Sequence, residues 1–179
     1  MPDMKKEIIE TPVYKHEMYY GKAYRFDKFD KIILKELDEN ARKPLSVLSK
    51  KVGLSRDAVR NRIKNMIDAK VISAFKPIYQ SPRMGFPIIN YVCISLYNPS
   101  EENEKEFLKF LKNHKNVTYV ASLMGKWDYI IDIMAENQGD FDRILKEIRR
   151  RFPELIKDYE AYGVLQEYKY EEIGRLIYG

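Results

Sequence analysis

The stretch Leu45–Lys64 reads LSVLSKKVGLSRDAVRNRIK, and it decides how the first half of this chain folds. Apolar side chains recur every three or four residues on both sides of Gly53, which is the spacing of two amphipathic helices joined by a tight turn. These apolar positions, continued just past the stretch, are Leu45, Leu48, Val52, Val59, Ile63, Met66 and Ile67. Ser55 follows the turn as a helix N-cap, so the pattern predicts a helix-turn-helix unit.

The second helix of this pair carries polar side chains opposite its apolar stripe. In helix-turn-helix proteins this helix commonly enters the DNA major groove, where arginine can bond guanine and asparagine can bond adenine. The predicted DNA-binding residues are Lys50, Lys51, Ser55, Arg56, Asp57, Arg60, Asn61, Arg62 and Lys64. Lys50 and Lys51 are placed to meet phosphates, and Arg62 is either a phosphate contact or a packing residue. The alternative, a solvated basic face on an ordinary helix, is disfavoured by the glycine turn, the serine cap and the matched preceding helix.

The charge distribution supports a nucleic-acid partner for the first half. The 179 residues suit one large domain or two small ones. Residues 1–84 hold 19 Lys/Arg and 11 Asp/Glu, a net charge of +8, whereas residues 85–179 hold 13 and 16, a net charge of −3. Clustered positive charge favours nucleic acid through counterion release without specifying sequence. The Lys and Glu content hints at a thermophilic source, and we expect an archaeal one.

Composition also limits other classes of site. Cys93 is the one cysteine, so a disulfide framework or a cysteine metal site within one chain is excluded, and we predict neither a metal nor a cofactor. No run approaches the roughly 18–20 apolar residues of a membrane span, and the first residues lack the apolar core of a signal peptide. We therefore expect a cytoplasmic protein with no membrane partner.

The chain is expected to divide into five segments. Residues 1–25 form an irregular extension, either flexible or ordered on a partner subunit. Residues 26–70 form the helix-turn-helix domain, whose first helix starts at the N-cap Asp27 and whose second helix has Pro44 in its first turn. The remaining segments are a linker strand and hinge at 71–87, a second domain at 88–170, and a tail at 171–179.

The second half alternates strands and helices in the order β-α-β-β-α-β, the ferredoxin-like arrangement. Strands are expected at 88–97, 117–124, 128–135 and 156–170, and helices at 102–113 and 140–152. Asp132 alternates with apolar neighbours, so we expect it on a polar strand face in water. The predicted fold class is α+β, a three-helix helix-turn-helix domain followed by a βαββαβ domain.

Several motifs in this order resemble the leucine-responsive regulatory protein/AsnC (Lrp/AsnC) family, the feast/famine transcription regulators of bacteria and archaea. One is Phe26-Asp27-x-x-Asp30 before the first helix core, followed by the helix-turn-helix run quoted above. Another is Gly125-x-x-Asp128-Tyr129 between two predicted strands. One departure is Lys70, which stands where the family usually has glycine, so the helix must end without the favoured left-handed residue.

The resemblance implies homodimers, with tetramers or octamers in some members, that bind a pseudo-palindromic site on double-stranded DNA. It also implies that residues 88–170 form the effector-binding and dimerisation domain, and that a small ligand, often an amino acid, binds where effector domains meet. The implied effector-pocket candidates are Met124, Gly125, Trp127 and Asp128. Gly125 would let a ligand approach the backbone, Asp128 could receive an ammonium group, and the bulky Met124 and Trp127 could instead fill the pocket. For Asp128, a plain structural role on the strand is an equally good reading.

Enzymes are the main rival class. His16 and His114 are the only histidines, and no phosphate-binding loop, His-Glu-x-x-His motif or nucleophile–base set is found. A second alternative is a ligand-binding or tetrapyrrole-processing protein of the same fold without DNA function. Fold-mates that decarboxylate tetrapyrroles lack a basic recognition face, whereas this chain has one. We therefore predict a sequence-specific transcription regulator that is not an enzyme.

Overall fold

The computed structural model describes residues 18–179, so most of the predicted 1–25 extension lies outside the described residues. Within that part the elements are α1 Lys28–Glu39, α2 Leu45–Val52, α3 Arg56–Asp68, β1 Ile88–Leu96, α4 Glu101–Asn113, β2 Val117–Ser122, β3 Tyr129–Ala135, α5 Gln138–Arg151, β4 Ile156–Gly163 and α6 Arg175–Tyr178. The predicted α+β class and element order are confirmed. No helix among the described residues is long and apolar enough to cross a membrane.

The chain forms two compact units. One contains the described residues up to Pro77 together with Lys169–Gly179, and the other contains Ile78–Tyr168. The predicted tail at 171–179 thus belongs to the unit that holds the helix-turn-helix. We call these the DNA-binding unit and the effector unit.

Helices α1, α2 and α3 bury one shared apolar core in the DNA-binding unit. Its members are Ile33, Leu34, Leu37, Leu45, Leu48, Val52, Val59, Ile63, Met66 and Ile67. Asp27 caps α1, and its side chain accepts hydrogen bonds from the backbone N–H groups of Phe29 and Asp30. The carboxylate of Asp30 in turn accepts the backbone N–H of Asp27, which completes a capping box and fixes where the helix starts.

Two helix ends differ from expectation. Pro44 is the N-cap of α2 and not a first-turn residue: its backbone is extended, and its carbonyl accepts from Val47 and Leu48. Lys70 itself adopts the left-handed conformation, with φ of 60°. Its position lets the N–H of Val71 bond the carbonyl of Met66 at 2.8 Å, which closes the end of α3. A lysine in this conformation costs about 1 kcal/mol relative to glycine.

The effector unit is a four-stranded antiparallel sheet in the order β2-β3-β1-β4, with α4 and α5 packed on one face. This is the ferredoxin-like order. Alternate residues of the central strands face the helices and are fully buried, including Val92, Ile131 and Ile133. The other residues, among them Tyr91, face the opposite side, which we call the open face.

The predicted linker strand is absent among the described residues, and each of the four sheet strands differs from its predicted bounds at one end. β1 ends at Leu96 and β2 at Ser122, one and two residues earlier than predicted. The linker at 71–80 is irregular and is followed by a single 3-10 turn, Ser81–Met84, because no strand of the described residues pairs with it. The last strand ends at Gly163 and not at residue 170. The third strand starts at Tyr129, one residue later than predicted.

Candidate nucleic-acid interface

The turn between α2 and α3 sets the direction in which α3 leaves the fold. Gly53 has φ of 76°, a conformation that glycine adopts without a steric penalty. The N–H of Leu54 bonds the carbonyl of Ser49 at 3.2 Å, which closes α2. The hydroxyl of Ser55 accepts the N–H of Ala58 at 3.1 Å and starts α3. Ser55 therefore acts here as the helix cap that the sequence suggested.

Opposite faces of α3 have opposite character. Val59, Ile63 and Met66 have no exposed surface and hold the helix against α1 and α2. The predicted DNA-facing residues lie on the remaining circumference. Those that are exposed are Ser55, Arg56, Asp57, Asn61 and Lys64, and Arg60 is half-buried. The arrangement presents cations and hydrogen-bond donors outward from a rigidly packed helix, which is what a major-groove reader requires.

Arg62 lies between these faces and is held by α1. Its guanidinium Nη1 donates to Asp27 at 2.7 Å and to Asp30 at 2.8 Å. Asp30 is only 3% exposed, so Arg62 neutralises a buried carboxylate. The two ion pairs tie α3 to the capping box of α1. Of the two roles considered for Arg62, these contacts favour packing.

Lys51 is also engaged within the unit. The carboxylate of Glu36, on the buried side of α1, pairs with the ammonium of Lys51 at 2.8 Å and with that of Lys43 at shorter range. Burial alone would raise the pKa of Glu36, but the hydrogen bonds from the two lysines outweigh it and the pKa is lowered. A phosphate contact by Lys51 must therefore compete with this pair. Lys50, its exposed neighbour in the last turn of α2, makes no ion pair among the described residues.

Arg60 and Asp57 pair with each other on the exposed side of α3, one turn apart. Asp57 lies in the first turn, where a carboxylate suits the helix dipole. The pair holds the guanidinium of Arg60 along the helix surface. DNA binding through Arg60 would exchange this solvent-exposed ion pair, which is a weak interaction, for a base or phosphate contact.

The four effector-pocket candidates lie at the turn between β2 and β3, and the structure gives them different surroundings. Met124 is fully exposed, so it fills no pocket formed by residues 18–179. Gly125 has φ of 146°, and Trp127 is half-buried with the Lys126 ammonium 4.3 Å from its ring centre. Asp128 accepts the backbone N–H of Leu96 at 2.7 Å, which joins the turn to the end of β1.

Asp132 is buried, contrary to the expectation that it faces water. It lies on the open face of the sheet but is only 6% exposed. A bulge in β2 turns the Thr118 hydroxyl toward it, and that hydroxyl donates to Oδ2 at 2.8 Å. Oδ1 is buried without a hydrogen-bond partner among the described residues. Burial raises the pKa of Asp132, and nearby Glu167 adds to this effect.

The burial of Glu36 was missed in the sequence although a signal was present. Glu36 follows Ile33 by three residues and precedes Leu37, so helical spacing places it on the buried stripe. A buried carboxylate requires cations, and Lys43 and Lys51 supply them. The burial of Asp132 had no such signal, because it depends on a bulge in another strand.

The fold and the exposed face of α3 together define a two-domain helix-turn-helix transcription regulator. Residues 26–67 match the AsnC-type helix-turn-helix domain, and residues 90–173 match the Lrp/AsnC ligand binding domain. An uncharacterised HTH-type transcriptional regulator of Pyrococcus furiosus is 32% identical over 70% of this chain and 83% of its own length. The transcriptional regulator AzlB of Bacillus subtilis is 31% identical over 64% of this chain and 73% of its own.

Solved structures show the same fold. AsnC of E. coli aligns with a TM-score of 0.74 and 24% identity, over 84% of this chain and 99% of its own. A Neisseria meningitidis transcriptional regulator in complex with L-Met aligns with a TM-score of 0.75 and 21% identity, over 83% of this chain and 95% of its own. The chain belongs to the Lrp/AsnC family of DNA-binding transcription regulators.

The contacts of Arg62 predict that this side chain stabilises the folded DNA-binding unit. Replacing Arg62 with alanine leaves the carboxylate of Asp30 buried without its cation. Unfolding free energy should fall by about 2 kcal/mol, less than for a fully buried pair because Arg62 is partly exposed. Urea unfolding measures this. Arg56→Ala is the matched control: that exposed arginine forms no ion pair among the described residues, so stability should stay unchanged. Equal losses in both variants would contradict the assignment.

The raised pKa of Asp132 predicts a specific pH dependence. A raised folded-state pKa contributes stability below the unfolded-state pKa, and that contribution is lost as pH rises through the folded-state value. Asp132→Asn cannot ionise and can still accept from Thr118. The variant should therefore gain stability relative to the parent on going from about pH 4.5 to about pH 7.5, measured by thermal unfolding. A difference that is constant across this range would show that Asp132 ionises as freely as in water.

Proposed function

We propose that this protein is a homodimeric, sequence-specific regulator in which each subunit places α3 in a major groove of a pseudo-palindromic operator. The observation that carries the proposal is the division of α3 into a fully buried apolar stripe and an exposed cationic face. Arg56, Arg60 and Asn61 are the proposed base-reading residues, and arginine and asparagine are the side chains that read guanine and adenine. Lys50 and Lys64, with Lys51 once released from Glu36, are the proposed phosphate contacts.

Asp57 has a distinct place in this proposal. It neutralises Arg60 in the free protein and lies close to the proposed path of the phosphates. A carboxylate there repels generic duplex, while cytosine N4 is the base group that a carboxylate can accept from. Asp57 thus lowers affinity for DNA at large more than affinity for a site that offers a compatible base. Repulsion of wrong partners is a recognised source of specificity.

The open face of the effector sheet is the proposed dimer surface. Tyr91, Tyr119 and Tyr162 occur on three different strands and are all exposed. The strand register places Tyr119 and Tyr91 on either side of Asp132, with Tyr162 beside Tyr91. A row of large aromatic side chains on one sheet face is typical of a surface that another molecule covers. A two-fold contact there would use the same face of both subunits.

The effector is proposed to be an amino acid that binds at the turn between β2 and β3. Support comes from the match to a ligand binding domain and from the structural neighbour that holds L-Met. The left-handed Gly125 leaves the backbone of the turn open to a ligand, since nothing lies within 4 Å of the position that a Cβ would take. Because Asp128 already bonds Leu96, ligand binding through Asp128 would act directly on the end of β1.

Arg60→Ala tests the reading face. The substitution should weaken binding to the operator by roughly 1–3 kcal/mol, the usual contribution of a bidentate base contact. The measurement is fluorescence anisotropy with an operator selected from genomic DNA fragments and with a scrambled duplex of equal length. Binding to the scrambled duplex should change much less.

Arg150→Ala provides the control, since Arg150 is an exposed arginine on α5 of the effector unit. It removes the same charge without touching α3 and should bind the operator as the parent does. If Arg60→Ala binds like the parent, or if Arg150→Ala loses as much affinity, α3 is not the reading element.

Tyr162→Glu tests the dimer surface. A two-fold contact would place two new carboxylates in one apolar interface, so each substitution counts twice. The variant should shift from dimer to monomer in light scattering at micromolar concentration. Tyr97→Glu changes a tyrosine of similar exposure that lies beyond the end of β1, and it should remain dimeric. A dimeric Tyr162→Glu protein would place the interface elsewhere.

A further inference from the structure

The segment Lys169–Gly179 packs on α1 in the DNA-binding unit. The hydroxyl of Tyr178 donates to Oδ2 of Asp38 at 2.8 Å, across 140 positions of sequence. Ile177 and Tyr178 add apolar surface to the core shared by α1, α2 and α3. The contact therefore combines a hydrogen bond with burial.

Gly174 lies very close to the side chain of Asp38 on α1. A Cβ added at this position would lie 2.0 Å from Oδ2 and 2.9 Å from Cγ of Asp38. Its backbone is ordinary right-handed helix, with φ of −55° and ψ of −30°, so conformation alone does not require glycine here. A side chain at position 174 would force the Asp38 carboxylate, which accepts the hydrogen bond from Tyr178, to move.

An ion-pair cluster stiffens the approach to α6. The carboxylate of Glu172 forms ion pairs with Arg175 at 2.6 Å and with Lys169 at 3.3 Å. These contacts hold the turn that aims Ile177 and Tyr178 at α1. The element α6 also begins after residue 173, where the match to the ligand binding domain stops.

From these contacts we infer that Lys169–Gly179 is a strap that docks on α1 of its own subunit and stabilises the DNA-binding unit. The effector unit, Ile78–Tyr168, is then connected to the DNA-binding unit at both of its chain ends. The strap braces α1, and α1 holds α3 through Arg62 and the shared core. Docking of the strap and stabilisation of α1 do not depend on the proposed function, and only an effect of the strap on DNA affinity would rest on it.

A disulfide tests which chain supplies the strap. Asp38→Cys and Gly174→Cys are combined in a Cys93→Ser background. A Cβ at Gly174 lies 2.9 Å from Cγ of Asp38, close to the position that a cysteine sulfur at 38 would take, so the two cysteines can form a disulfide. Mild oxidation should give a bond within one chain, with monomer mobility on a non-reducing gel. Asp38→Cys with Leu176→Cys is the control, since Leu176 is 84% exposed, and it should not link. A disulfide between two chains, or no disulfide, would overturn docking on the same subunit.

Amide hydrogen exchange tests the bracing without any cysteine. Ending the chain at Ile173, or making Gly174→Ala, should raise exchange in α1 by roughly fivefold, as expected for losing a hydrogen bond and some apolar contact. Exchange in α4 should stay unchanged and serves as the internal reference. Leu176→Ala should leave both helices as they are. Unchanged exchange in α1 would overturn the strap. If exchange in α1 rises in these variants but the parent protein binds no operator, the strap stands and only the proposed function is overturned.

Discussion

One constraint governs the DNA-binding unit: α3 must be buried firmly on one side and fully available on the other. Val59, Ile63 and Met66 are completely buried, so α3 cannot rotate about its own axis. That immobility is what gives the exposed side chains fixed positions. A reading helix that could turn about its axis would present a different set of donors to each base pair, and specificity would be lost. The capping serine, the left-handed Gly53 and the strained Lys70 all serve to start and stop this helix at fixed residues.

The cations of the DNA-binding unit are likewise of two kinds: some neutralise buried carboxylates, and others stay exposed. The acidic groups nearest the core of the unit, Asp30 and Glu36, are neutralised from within, by Arg62 and by two lysines. Part of the positive charge that suggested DNA binding is thus used to hold the fold together. The net charge of +8 in the first half overstates the charge available to DNA, although its sign was a correct indication of the partner. Of the exposed cations that remain, Lys50, Arg56 and Lys64 lie on α3 or at the end of α2, and others, among them Lys31 and Lys35, lie on α1.

The sequence predicted whatever depends on local periodicity. The helical spacing of Val59 and Ile63 and the N-caps at Asp27 and Ser55 each concern residues a few positions apart. Pairings over long separations were missed: Arg62 meets Asp30 across 32 positions, and Thr118 meets Asp132 across 14 through a bulge. The predicted linker strand failed for the converse reason. Its residues favour extended backbone, but a strand also needs a neighbour, and none is present among the described residues.

The contact of α6 with α1 extends this argument to the order in which the parts form. Helices α1, α2 and α3 share a core built from residues close in sequence, and such contacts form early because little chain entropy is lost in closing short loops. The contact between Tyr178 and Asp38 closes a far longer loop that contains the whole effector unit. The bracing of α1 is therefore added only after the effector unit has been synthesised. The complete DNA-binding unit therefore includes a chain segment that follows the effector unit in sequence. The full stability of the DNA-binding unit is reached only once that segment is present.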